Sequence, residues 1–203
     1  MSKVFPGIDR ALDAWIRRQA LFFVGTAPRA DDGHVNVSPK GPIGSLRVID
    51  PKTVVYLDVV GSSAETIAHL RENGRIVVML CAFAGPPRIV RLHGRGEVLE
   101  PTDPAFAALL AAHAFEDAGL PEARRAMVVV RLDRISDSCG YGVPRLDYVG
   151  ERPQMAAWGR KKLRAGGVAA IAEYQSVKNA RSIDGLPALP LDPPKPRKRA
   201  RPR

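Results

Sequence analysis

Residues 53–83 read TVVYLDVVGSSAETIAHLRENGRIVVMLCAF, and residues 86–100 read PPRIVRLHGRGEVLE. TVVYLDVV is rich in β-branched residues and reads as a strand. Gly61-Ser62-Ser63 breaks it. AETIAHLREN then reads as a helix, with Ser63 as its N-cap. RIVVMLCAF is a nearly continuous apolar run, which predicts a central strand buried on both faces. AGPP turns the chain, and RIVRLHGRGEVLE is a long strand in which Gly94 and Gly96 mark a bend or bulge. No G-x-G-x-x-G opens a helix, so the dinucleotide fingerprint of doubly wound folds is absent.

Upstream, Asp9–Ala20 places Leu12, Trp15, Ile16 and Gln19 at helical spacing. LFFVGTA and HVNVSPK flank the turn PRADDG and read as a hairpin. SLRVID is a short strand stopped by Pro51. Downstream, DPAFAALLAAHAF reads as a helix with Asp103 as cap and Pro104 at its first position. ARRAMVVVRLDRI is another strand, and SDSCGYGVPRL is irregular. PQMAAWGRKKLRA and GVAAIAEYQSVKNA read as two further helices. NARSIDGLPAL reads as a strap that docks through Ile183, Leu186 and Leu189. Strands outnumber helices up to residue 136 and arrive as hairpins and short meanders. That pattern predicts a mainly β (α+β) fold, an antiparallel barrel with helices at its ends. The expected divisions are a barrel domain over 1–150, a helical extension packed on it over 151–190, and a tail over 191–203.

The chain has 203 residues, 45% of them apolar, and a formal net charge of +10. KPRKRARPR, at the end, holds six of the basic side chains and no acid. Proline and like-charge repulsion predict a disordered tail there, with weak, salt-sensitive attraction to a polyanion as its alternative use. No apolar run approaches the roughly 20 residues that span a bilayer. The first residues lack the apolar core of a secretory signal. Cys81 and Cys139 make no disulfide framework. A reduced, cytoplasmic protein is expected. His34, His69, His93 and His113 are scattered without metal-ligand spacing, so no metal site is expected.

Candidate ligand-binding residues gather at strand ends. In DGHVNVSPKG, Asp32–Gly41, the residues His34, Asn36 and Ser38 alternate with Val35 and Val37. Pro39 ends the ladder by removing a donor, and Lys40 adds positive charge. The valines are expected to pack in the barrel and the polar set to face a ligand. Gly61-Ser62-Ser63 runs into a helix with Thr66 in its first turn, and free N–H groups with hydroxyls suit a phosphate. Arg88 opens a strand, and arginine suits bidentate phosphate contact.

In this order the elements resemble the FMN-binding split β-barrel family of pyridoxamine 5′-phosphate oxidase-like proteins, from about Leu21 to Ile135. The motifs that carry it are Tyr56 and Asp58 ending a strand, the turn Gly61–Thr66, Asn73-Gly74-Arg75 entering an apolar strand, and Arg88 to Glu97. The resemblance implies a homodimer of split barrels with FMN at the subunit interface. It implies that His34, Asn36, Val37, Ser38 and Lys40 meet the flavin, along with Tyr56 and Asp58. It puts Ser62, Ser63 and Thr66 at the phosphate, and Arg88 where a family Arg or Gln holds the cofactor. The family's oxidases carry a basic pair at the helix entry, where this chain has Ala64-Glu65-Thr66. Glu65 would repel a phosphate if it pointed inward, and vitamin B6 oxidation is not implied.

The expected activity is flavin-dependent redox of a small organic substrate. The alternatives are a non-catalytic flavin-binding protein, a reductase using the deazaflavin F420, and a barrel that binds nucleic acid with the basic tail as an arm.

Overall fold

The computed structural model describes residues 3–115 and 120–190. The strands are β1 (Val4–Phe5), β2 (Phe22–Thr26), β3 (Asn36–Lys40), β4 (Leu46–Asp50), β5 (Thr53–Val59), β6 (Arg75–Cys81), β7 (Ile89–Leu99) and β8 (Arg124–Ser138). The helices are α1 (Arg10–Ile16), α2 (Glu65–Asn73), α3 (Pro104–Ala112) and α4 (Gln154–Lys178). The strands form one antiparallel sheet in the order β3-β2-β6-β7-β8-β5-β4, and β1 pairs with the far half of β8. β8 is the spine. It pairs with β7 from Leu99↔Met127 to Ile89↔Ser138, while its other edge is shared by β5 and then β1.

No ladder joins the terminal strands β3 and β4, so the sheet is a split barrel rather than a closed one. The sheet nevertheless curls until Lys40 at the end of β3 reaches Asp58 in β5, five strands along, at 2.8 Å. The interior holds Phe22, Val24, Tyr56, Val78, Leu80, Val90, Leu92, Val130 and Ile135. Curling needs local bends. One lies between His93 and Gly94, where the β7–β8 register shifts. A side chain at Gly94 would meet the Arg131 carbonyl oxygen at 2.0 Å, so only glycine allows this approach. α3 covers the outer face of β5 and β8 with Phe106 against Val55, Leu57 and Met127.

Several expectations are corrected. Val35 and Val37 do not enter the barrel. They are 72% and 65% exposed on the outer face of the sheet's end. β6 is buried on one face, through Ile76, Val78 and Leu80, while Val77 and Met79 are half-buried on the other. α2 starts after Ala64, not after Ser63, and no side chain caps it.

The two expected C-terminal helices are present. α4 is interrupted at Gly166 and Gly167, the latter at φ +63°. The rings of Trp158 and Tyr174 nonetheless meet at 4.8 Å. Sixteen residues of straight helix would span about 24 Å, so the two halves fold back on each other. The first half is held by Gly159, where a Cβ would strike Leu120 at 2.2 Å. Beyond the hairpin, the strap places Ala188 and Leu189 against Ala64, Ile67 and Ala68 of the α2 region. The basic segment 191–203 lies outside the described residues.

Candidate functional site

Asp58 is the electrostatic centre of the barrel's open seam. A carboxylate at 5% side-chain exposure needs strong partners, and it has two. Lys40 Nζ donates to Oδ1 at 2.8 Å, while Arg125 Nε and Nη2 donate to Oδ2 at 2.8 and 2.6 Å. Burial alone would raise the carboxyl's pKa, but Lys40 and Arg125 outweigh it and hold it below the ordinary value. The third arm of Arg125, Nη1, donates to the Ser63 carbonyl at 2.6 Å. One buried guanidinium thus ties β5 to the turn before α2.

That turn carries two hydroxyls and leads into an uncapped helix start. Ser62 and Ser63 are exposed, and the first turn of α2 carries no side-chain cap. Backbone N–H groups at an uncapped helix start, with hydroxyls beside them, present donors to an oxyanion. Glu65 is turned away from this face: both of its carboxylate oxygens accept from the Ile183 N–H of the strap, at 3.2 and 3.1 Å. The strap also fixes the turn from behind, since Asn179 Nδ2 donates to the Gly61 carbonyl at 3.0 Å. Asn179 is fully buried and caps the C-terminal end of α4.

From β3 a polar chain runs inward. Ser38 Oγ donates to Asn36 Oδ1 at 2.9 Å. Asn36 Nδ2 donates to Thr66 Oγ1 at 3.1 Å and to Thr26 Oγ1 at 3.3 Å. Thr26 Oγ1 lies 3.0 Å from Nδ1 of the buried His69. In either tautomer of the neutral ring, Nε2 is buried without a partner. Burial lowers the imidazole's pKa, so the ring is neutral.

The other anticipated residues divide. Asn36, Ser38, Lys40, Asp58, Ser62, Ser63 and Thr66 come together around the seam and the turn. His34 sits at its outer edge, where its Nδ1 meets Asp184 of the strap at 2.7 Å and its N–H donates to the same carboxylate. Tyr56 packs edge-on against Phe22 in the barrel interior, with its hydroxyl buried and unpartnered. Val37 points outward. Arg88 is held elsewhere in the chain. Its Nε and Nη2 contact Asp137 Oδ2 at 3.1 and 2.9 Å, and it lies over the rings of Trp15 and Phe5. There it lines a cavity of about 600 Å³ whose walls Ala20, Asp147 and Tyr148 are shared with the cavity at Lys40. Gly140, at φ +69°, lets the SCGYGVP segment pass against the Arg88 backbone, where a Cβ would sit 2.8 Å from the Arg88 nitrogen.

Sequence reasoning missed Arg125 and Asn179. A signal existed for the first: an aspartate inside TVVYLDVV demands a cation, and ARRAMVVV offers one on an apolar strand. For Asn179 there was none, because its role depends on where α4 ends in space. Among the described residues no group of His, Cys, Asp or Glu is arranged to hold a metal ion. No helix among the described residues is long and apolar enough to cross a membrane.

Comparison with known proteins agrees with this architecture. The family model of pyridoxamine 5′-phosphate oxidase matches residues 8–139. The pyridoxamine 5′-phosphate oxidase family protein UstO of Aspergillus flavus is 39% identical over 198 residues, which cover 91% of this chain and 77% of that protein. A solved structure of HupZ from Group A Streptococcus superposes with a TM-score of 0.50 at 23% identity, over 64% of this chain and 99% of that one, and shares the fold. The FAD binding protein of Mycobacterium smegmatis gives a TM-score of 0.45 at 14% identity, over 67% of this chain and 96% of that one. With the family match spanning most of the barrel and the UstO likeness running on through the helical hairpin, the chain belongs to the pyridoxamine 5′-phosphate oxidase family.

Proposed function

We propose that this protein binds a flavin through its mononucleotide portion, as in FMN, and acts as a flavin-dependent oxidoreductase on a small organic substrate. The observation that carries the reading is the Gly61–Thr66 turn, where two exposed serines stand before an uncapped helix start while Glu65 is held away by Ile183. A phosphate there gains N–H and O–H donors and meets no facing carboxylate. Family membership supports the choice of a flavin as the group that carries this phosphate.

The chain's own residues have separate tasks. Arg125 stiffens the turn through the Ser63 carbonyl. Asp58 fixes Lys40 at the mouth of the seam, so that its charge faces the ligand from a set position. Ser38 and Asn36 give the edge of β3 a polar lining towards Thr66. A bound flavin supplies electron and hydride chemistry, and the protein orients it and excludes competing solvent. The outward Val35 and Val37, just before and within β3, fit contact with a second copy of the chain, which completes the site as a homodimer.

Retention of added ligand after desalting tests this, read by visible absorbance. FMN is expected to stay at near one per chain, and riboflavin, which lacks the phosphate, to wash out. Ser63→Asp places a carboxylate on the turn and is expected to weaken FMN binding at least tenfold, the scale of one charge-assisted hydrogen bond. Equal retention of FMN and riboflavin, or an unchanged affinity in the variant, would overturn the assignment of the turn.

A further inference from the structure

Behind the same turn lies a recess that the mononucleotide portion leaves unexplained. It holds about 260 Å³ and is lined by Gly61 and Ser62 on one side and by Met155, Trp158 and Tyr174 of the α4 hairpin on the other. We propose that this recess takes the adenine of a dinucleotide flavin, so that the cofactor is FAD with its pyrophosphate on the Gly61–Thr66 turn and its base against Trp158. The inference rests on the flavin reading of the turn given above.

Size is the first argument. Whole ligand pockets run to roughly 300–1,000 Å³, so a recess of this volume suits one bicyclic base with part of its sugar and not an entire cofactor. Position is the second. Gly61 and Ser62 of the turn themselves line this recess, so a group joined through a phosphate on the turn would reach it. Chemistry is the third. The indole of Trp158 meets Tyr174 edge-on, with 64° between the ring planes. The ammonium of Lys162 already lies 5.4 Å over the tyrosine ring. The indole is therefore the surface left for stacking a base, an interaction every purine can make. Gln154 stands at the rim, and a primary amide both donates to and accepts from the edge of a base.

The recess is also built rather than incidental. The Gly166-Gly167 break folds α4 back so that Trp158 and Tyr174 share it. Gly159 seats the first half on Leu120, and Asn179 bonds the Gly61 carbonyl from the end of the second half. The aromatic wall and the phosphate turn are thus joined by direct contacts.

Dissociation constants of FMN and FAD, measured by flavin fluorescence on the apoprotein and on two variants, test the proposal. FAD is expected to bind at least about tenfold tighter than FMN, in line with one stacked base. Trp158→Ala should bring FAD down to the FMN level and leave FMN within about twofold, which also reports that the variant is folded. Trp158→Phe should keep most of the FAD advantage, since a ring face remains. FMN binding as tight as FAD, or a Trp158→Ala variant that weakens both alike, would overturn the adenine assignment and leave the flavin reading standing. Binding of neither flavin would overturn both.

Discussion

Asp58 and Arg125 show how one buried charge pair sets the shape of a site. Their side chains are 5% and 4% exposed. Removing one partner strands the other, which typically costs about 3–5 kcal/mol. Arg125→Met is therefore expected to lower stability by about that much in urea unfolding, more than Lys40→Met does, because Lys40 is more exposed. A loss below about 1 kcal/mol for Arg125→Met would mean that Lys40 alone satisfies the carboxylate. The pH dependence has a defined sign. The lowered pKa of Asp58 contributes stability that is full above the unfolded carboxyl value of about 3.9 and is lost as pH falls through the lower folded value. His69, neutral in the fold, contributes above about 6.5 and loses that contribution as pH falls, because the unfolded chain takes the proton first. His34 runs the other way. Its contact with Asp184 raises its pKa, so the charged pair forms while Asp184 stays ionised and fades as pH rises through the raised value of His34. In a His34→Ala background, the urea midpoint should decline in two stages on acidification, the upper one absent when His69 is also replaced by Gln. A single stage near the carboxyl range would refute the role given to His69. At this scale the sequence named Asp58 as a ligand contact, whereas burial makes it the anchor for two cations. No alternation pattern reveals which strand supplies a buried partner.

The elements themselves were largely legible, because their boundaries are written in turn residues. Pro51, Gly61-Ser62 and Gly85-Pro86 separate strands at positions the structure keeps, and Asp103 caps α3 with its side chain on the Ala105 N–H. What escaped were features decided between elements. β1 is two residues long and exists only because β8 outruns β5 and leaves an edge at Ile135 and Ser136. β3 carries an alternating pattern whose apolar face turned out to be the outer one, and alternation alone cannot say which face is inside. Gly94 and Gly96 in HGRGE were read as marking a bend or bulge, and the register shift lies at Gly94. Gly94→Ala would force a Cβ onto the Arg131 carbonyl, which cannot move without breaking the ladder. Its cost is expected to reach the upper end of the about 1–3 kcal/mol typical of overpacking. Gly61→Ala, with no atom within 4 Å of the added group, is the matched control and should be tolerated in thermal unfolding. Equal melting temperatures for the two variants would refute the close approach at Gly94.

For the whole molecule, the open seam and the outward valines belong together. A strand at the end of a sheet that presents Val35 and Val37 to solvent invites pairing or packing by another chain. Val37→Asp is expected to convert a dimer to monomers in sedimentation, with the circular dichroism of the fold unchanged. A wild-type chain that sediments as a monomer would refute the contact. The antiparallel barrel was foreseen from hairpins, while the assembly around its seam was not, because the strap that organises the turn comes from the far end of the chain. The bond between Asn179 and Gly61 joins residues 118 positions apart. The strand that completes the sheet ends at Ser138, well before Asn179 is made. A chain emerging during translation thus has every described strand of its sheet made while the turn at Gly61 still lacks its clamp. If the turn holds a flavin phosphate as proposed, a chain that has not yet made Asn179 lacks the clamp behind its binding turn, and its cofactor loads late.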